Sequence, residues 1–162
     1  TLLQAGRVRA IGVCNFLPDR LVDLILTHSV VPAVNQIELH PFCQQQALRQ
    51  VMAAYHIQPM AWAPFAEGQG NLFHHPVLSA IGQAHGKTPA QVVLRWLRQE
   101  GIVAIPKSVH PQRIRENWDI EDFTLSPGEL TQIRALDQNR SWILDVPNLT
   151  EVYRLHNIPV SQ

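Results

Sequence analysis

Short apolar runs alternate with helical stripes along this chain, and that alternation leaves few folds open. Residues 8–13, 33–39, 58–63 and 102–105 read as strands. Between them Leu21, Leu24 and Ile25, then Leu48, Val51, Met52 and Tyr55, then Ala90, Val93, Leu94 and Leu97 recur at helical spacing. Thr88-Pro89 with Gln91, and Ser126-Pro127 with Glu129, each combine a capping box with proline at the first helical position. Gly86 and Gly101 fall where helices should stop, and residues 1–6 read as the end of a helix closed by Gly6 rather than a natural beginning. Strands that alternate with helices pair in parallel through right-handed crossovers. The first two units repeat at about 25 residues, the size of a compact strand–helix unit in a barrel. A parallel barrel closes with eight strands; four are visible, so if the chain builds a barrel it supplies the second half.

No linker or low-complexity tract interrupts the pattern, which implies a single partial domain over residues 1–162, with a tail after Asn139 that wraps the surface. Thirteen basic residues balance thirteen acidic ones. Such a chain has no basic field to hold nucleic acid or an anionic membrane surface. No apolar run approaches the roughly 20 residues that span a bilayer. Cys14 and Cys43, without a secretory signal, suggest free thiols in a reducing, cytoplasmic setting. His74-His75 lacks partners at ligand spacing, so no metal is expected.

In a parallel barrel the working groups sit at the C-terminal strand ends. Asn15 there offers a donor and an acceptor suited to a primary amide, or it caps the turn before Pro18. Residues 35–41 alternate, with Gln36, Glu38 and His40 on one face; that row either faces a wet, ligand-holding mouth or belongs to a half-exposed strand. Trp62-Ala63-Pro64-Phe65 leads into a loop with Gly68 and Gly70. An indole at a strand tip can stack on a flat heterocycle, and a glycine loop lets amides approach a pyrophosphate; the alternative is a core tryptophan before a flexible loop. Ile105-Pro106-Lys107-Ser108-Val109 then precedes a Pro-started helix carrying Arg113, Glu116 and Asn117. A lysine at a strand end and an arginine one helical turn on can converge on one phosphate, with a polar pair on the same face for an attached base. Arg113 and Glu116 could equally form a surface ion pair worth little.

Taken in order, residues 6–16, 35–41, 62–65, 85–91 and 105–117 strongly resemble the aldo-keto reductases, especially the bacterial diketogluconate-reductase-like branch. The resemblance spans almost the whole chain. It implies an α/β fold, the second half of a (β/α)8 TIM barrel with four parallel strands and their helices, binding NADPH and reducing small-molecule aldehydes or ketones to alcohols. Residue by residue it implies that Asn15 and Gln36 hold the nicotinamide carboxamide, with Cys14 beside them in the cofactor site but one carboxamide hydrogen bond weakened or lost there, and that Trp62 stacks on the ring. The Phe65 to Gly68 loop would lie over the pyrophosphate, with Ala63 and Pro64 also in the cofactor site. Lys107, Ser108, Val109 and Arg113 would bind the 2′-phosphate, with Glu116 and Asn117 facing adenine. Cys14 replaces the family's usual serine, Ala63 stands where many members have serine or glycine, and Ala66 replaces a common loop glycine; if that loop position needs positive φ, alanine there costs about 1 kcal/mol.

The family's catalytic Asp, Tyr, Lys and His come from the first four strands, and the sequence holds none of those motifs. Tyr55 is expected inside a helix and Tyr153 in the tail. Hydride transfer to a carbonyl needs an acid for the developing alkoxide. The chain alone is therefore expected to carry a cofactor site without a complete active site. A second expectation is a non-catalytic binding or assembly module that pairs with a separate N-terminal half or with itself through its open sheet edges.

Overall fold

Every strand run of the sequence yields a strand in the computed structural model, which describes residues 1–158. The elements are β1 (Gly12–Cys14), α1 (Pro18–Thr27), β2 (Val34–Glu38), α2 (Gln46–Ala54), β3 (Gln58–Trp62), a kinked 3₁₀ segment (Ala66–His74), α3 (Pro76–His85), α4 (Pro89–Gln99), β4 (Val103–Ala104), α5 (Pro111–Trp118), α6 (Pro127–Arg134) and α7 (Leu149–His156). The sheet order is β1-β2-β3-β4, and every pairing is parallel. The outer strands are shorter than the apolar runs suggest. Of residues 8–13 only Gly12 and Val13 join the ladder, and β4 is two residues long. Each outer strand has a neighbour on one side only, so apolar character there outruns pairing.

Helix ends follow the local chemistry. The Thr88 side chain accepts from the Gln91 amide at 3.3 Å while Gln91 accepts from the Thr88 amide at 3.0 Å. The Ser126–Glu129 pair does the same at 3.3 and 2.7 Å. Gly86 ends α3 at φ +65°, and Gly101 follows α4 at φ +70°. The amides of Gly6 and Arg7 donate to the Leu3 and Leu2 carbonyls at 3.0 and 2.9 Å, closing the first turn in a Schellman pattern. Tyr55 is the C-cap of α2 rather than an interior residue. The tail contains a helix its periodicity did not announce: α7, capped by Asn148, with Tyr153 exposed on it.

Helices cover one face of the sheet. Ile37 and its register partner Ala61 are buried there with Leu21, Leu48, Met52, Val93, Trp96 and Leu97. Side chains alternate along a strand and cross-strand partners share a face. The other face therefore presents Cys14 beside Gln36 beside Met60, then Glu38 beside Trp62. Gly82 lets α3 close on the turn into α4, since a Cβ there would overlap the Lys87 carbonyl. Gly82→Ala should lower the unfolding free energy by about 2 kcal/mol, read from the urea midpoint.

Candidate functional site

Three of the residues that end strands meet on the face away from the helices. Asn15 follows β1 at φ +58°, its amide donating to the Gln36 carbonyl at 2.8 Å. Its side-chain oxygen accepts from the Trp62 indole N–H at 2.8 Å. Asn15 does not cap α1, whose N-cap Leu17 has no side-chain capping bond. The indole is thus fixed against Asn15, and the Asn15 amide keeps its NH₂ group for another partner. Gln36 is half-buried. Its NH₂ donates to Met60 Sδ at 3.1 Å, and its oxygen lies 4.0 Å from Cys14 Sγ. Sulfur is a weak partner at both ends, so this primary amide keeps nearly all its hydrogen-bonding capacity. Burial pushes the Cys14 thiol pKa up, which leaves it a neutral, weak donor.

The loop after β3 runs through left-handed backbone. Ala63, Ala66, Glu67, Gly68, Gly70 and Asn71 all have φ between +46° and +79°. Ala66 does sit at positive φ, +50°, the condition under which alanine there is strained, and Ala63 shares it at +46°. Pro64 is buried, and half-buried Phe65 tilts against Phe73 at 5.7 Å between ring centroids. Gly68 stays exposed, its amide donating to the Phe65 carbonyl at 2.8 Å. Ala63 is only half-buried, so Ala63→Gly should raise stability by about 1 kcal/mol in thermal unfolding.

Lys107, Val109 and Arg113 are exposed, and among the described residues neither cation pairs with a carboxylate. The surface ion pair considered for Arg113 does not form: Glu116 accepts instead from Gln112 at 2.8 Å. Ser108 Oγ accepts from the His110 amide at 3.1 Å just before α5, whose N-cap His110 makes no side-chain bond. Ser108 and Asn117 line one shallow hollow with Pro106, Ile114, Arg115 and Trp118. Lys107 and Arg113 lie outside that lining.

Glu38 and His40 fit neither a wet mouth nor a half-exposed strand: both are buried. His40 Nδ1 accepts from the Phe42 amide at 3.3 Å, which leaves Nε2 to donate to Glu38 at 3.0 Å. Glu38 also accepts from Ser141 Oγ at 2.5 Å and from the Trp142 and Leu144 amides at 2.8 and 3.3 Å. Burial raises the Glu38 carboxyl pKa, but the bonds from His40, Ser141, Trp142 and Leu144 together outweigh it and hold the value below 4.5. Cys43, buried near Glu38 and Asp137, has its thiol pushed up to about 12 and is inert as a nucleophile. The segment held by Glu38 continues to α7, and Leu144, Val146, Val152 and Leu155 face Cys14, Asn15 and Phe16 across a hollow of about 400 Å³.

Residues 1–138 match the model of the aldo/keto reductase family. The chain belongs to that family. It is 50% identical over 139 residues to an aldo-keto reductase of Mycolicibacterium smegmatis, covering 86% of this chain and 50% of that protein. It is 45% identical over 139 residues to methylglyoxal reductase DkgA of Escherichia coli, with the same coverage of each, and 48% identical over 147 residues to morphine 6-dehydrogenase of Pseudomonas putida, covering 84% and 50%. It superposes on an aldo-keto reductase from a deep-sea metagenome library with TM-score 0.84 at 36% identity, covering 86% of this chain and 52% of the other. A silkworm (Bombyx mori) aldo-keto reductase complexed with NADPH matches with TM-score 0.81 at 34% identity, covering 86% and 46%. The chain spans about half the length of the curated relatives it matches.

Within this aldo/keto reductase chain, sequence reasoning found Asn15, Gln36 and Trp62 but missed what the tail contributes. Ser141 and Trp142 carry no motif, and their partner Glu38 lies more than a hundred residues earlier. The one available signal was a carboxylate in the alternating row of residues 35–41, which a buried strand end has to satisfy. No helix among the described residues is long and apolar enough to cross a membrane.

Proposed function

We propose that this chain is the C-terminal half of an NADPH-dependent aldo/keto reductase barrel, a single partial domain that binds the cofactor of a carbonyl-reducing enzyme. The observation that carries the reading is the half-buried Gln36 amide, whose only side-chain partners among the described residues are sulfur atoms, set beside the Asn15 NH₂, which has no partner among them. Two unspent primary amides against a fixed indole suit the donor–acceptor pair and flat ring of a nicotinamide carboxamide. Cys14 would add only a weak donor. The loop from Phe65 to Gly68, entered through Ala63 and Pro64, would lie over the pyrophosphate. Lys107, Ser108, Val109 and Arg113 would take the 2′-phosphate, and Glu116 with Asn117 the adenine.

When bound, NADPH supplies the hydride. This chain's residues orient the nicotinamide and hold the phosphates, and none of those that do so is an acid fit to protonate an alkoxide. Tyr55 caps a helix, and Tyr153 is exposed on α7. Turnover of a small aldehyde or ketone therefore belongs to a molecule that also holds the family's Asp, Tyr, Lys and His. The uncovered side chains beside β1 and β4, Ile11, Val103, Ile105 and Trp118 among them, favour pairing with a preceding half or with a second copy.

The test is NADPH titration of the purified 162-residue chain, followed by Trp62 fluorescence, together with an aldehyde-dependent NADPH oxidation assay. Saturable quenching that Trp62→Phe abolishes, with no turnover, is the expected result. The absence of any saturable binding overturns the reading, and turnover by the chain alone overturns the assignment of the acid to another segment.

A further inference from the structure

Trp142 belongs to the tail segment held by Glu38, and its ring also lies against Gly70 of the glycine loop. Its backbone amide is held by Glu38 at 2.8 Å, and Leu144, two residues on, donates to the same carboxylate at 3.3 Å. Its ring stacks on Phe42 at 4.7 Å with 14° between the planes. On its edge lies Gly70, at φ +61°. A Cβ on Gly70 would fall 2.5 Å from Trp142 Cζ3 and 2.9 Å from Phe42 Cε2. The loop backbone thus rests directly on the indole, with no room for a side chain between them. The Trp142 indole N–H is buried without an acceptor among the described residues. The ring therefore keeps this place by its packing against Phe42 and the loop, in spite of that unmet donor.

Of the loop's two glycines, Gly70 is the one whose backbone is met at this range, by Trp142 and Phe42, whereas Gly68 has only Phe73 near it, at 3.6 Å from a Cβ position. The exposed stretch 67–71 otherwise lies open to solvent. Whatever sets the height of Gly70 therefore sets how the loop lies over a nucleotide, and that setting passes through Trp142 to Glu38.

We propose that Trp142 is a positioning residue of the nucleotide site: by propping Gly70 it couples closure of the loop over the NADPH pyrophosphate to docking of the 141–144 segment on Glu38. This rests on the cofactor assignment above. Because the coupling is reciprocal, a ligand that closes the loop tightens the tail, and removing the prop weakens that ligand. A ligand that engages only the Lys107 end does neither. The probes are NADPH and adenosine 2′-monophosphate, which carries the 2′-phosphate and adenine without the pyrophosphate.

Hydrogen exchange of the wild-type chain should show the Trp142 and Leu144 amides slowed about tenfold by saturating NADPH and unchanged by adenosine 2′-monophosphate. Trp142→Ala should weaken NADPH about tenfold and leave adenosine 2′-monophosphate within about twofold. A purely structural role would lower both affinities together or neither. If NADPH quenches Trp62 but the two amides exchange at unchanged rates, or if both ligands slow them equally, the coupling is overturned while the cofactor assignment stands. If NADPH does not bind at all, both fall. The wild-type exchange measurement decides the matter even if Trp142→Ala fails to fold.

Discussion

Lys107→Met combined with Arg113→Ala should weaken NADPH on the order of a hundredfold to a thousandfold, and leave NADH within about twofold. The two nucleotides differ only in the 2′-phosphate, so the selective loss reads the interaction of interest. A hydrogen bond to a charged group contributes about 1.5–3 kcal/mol, so two of them give about 3–6 kcal/mol, and the lower half of that span corresponds to the expected loss. Both side chains are exposed, so salt screening places the effect toward the lower end at physiological ionic strength. Neither cation has a carboxylate partner to lose among the described residues, so the double variant should melt at the wild-type temperature. The single variants should each give roughly the square root of the combined factor if they act independently. Isothermal titration with both nucleotides at two salt concentrations checks each part. An equal loss for NADPH and NADH would show that the pair shapes the surface rather than reading the phosphate.

The parts of this molecule legible in its sequence are those governed by neighbours a few residues apart. The two capping boxes, the proline starts and the Gly86 stop are local chemistry, and each appears with the partners its spacing implies. The parallel order of the strands follows from the same local alternation. Strand length is different, because β1 and β4 depend on what lies beside them, and their apolar runs exceed the residues that find a partner. Site residues divide in the same way. Asn15, Gln36 and Trp62 stood out as polar or aromatic groups at strand ends, but the bond from Trp62 to Asn15 crosses 47 positions. The role of Glu38 was beyond reach because its partners come from a Pro- and Asn-containing tail without periodicity. A lone carboxylate in an alternating row says that something must satisfy it, not what does.

That carboxylate carries the second large effect: Glu38→Ala should lower the unfolding free energy by about 3–5 kcal/mol, as breaking a buried charged network does. Glu38 is 3% exposed and His40 fully buried. Removing the carboxylate leaves the His40 Nε2–H, the Ser141 hydroxyl and the Trp142 amide without their acceptor, while the Leu144 amide keeps its 2.9 Å bond to Ser141 Oγ. The tail groups can turn to water once the segment lifts away, whereas His40 cannot, and the Phe42–Trp142 stack is lost with the latch. Acid should reproduce part of the effect in the unmodified chain. The folded pKa of Glu38 lies below its ordinary value of 4.5, so its contribution is fully present above that value and is lost as the pH falls through the folded value. Stability should thus decline from about pH 4.5 downward, and Glu38→Ala should flatten that decline. Glu129, also held below 4.5 where burial is outweighed by bonds from Ser126 and His85, keeps a remaining acid slope in the variant. Urea denaturation from pH 3 to 7 on both proteins measures the two effects together. A variant as stable as the parent at pH 7, with the same acid slope, would mean that the tail is held by its apolar contacts and that Glu38 is only satisfied by it.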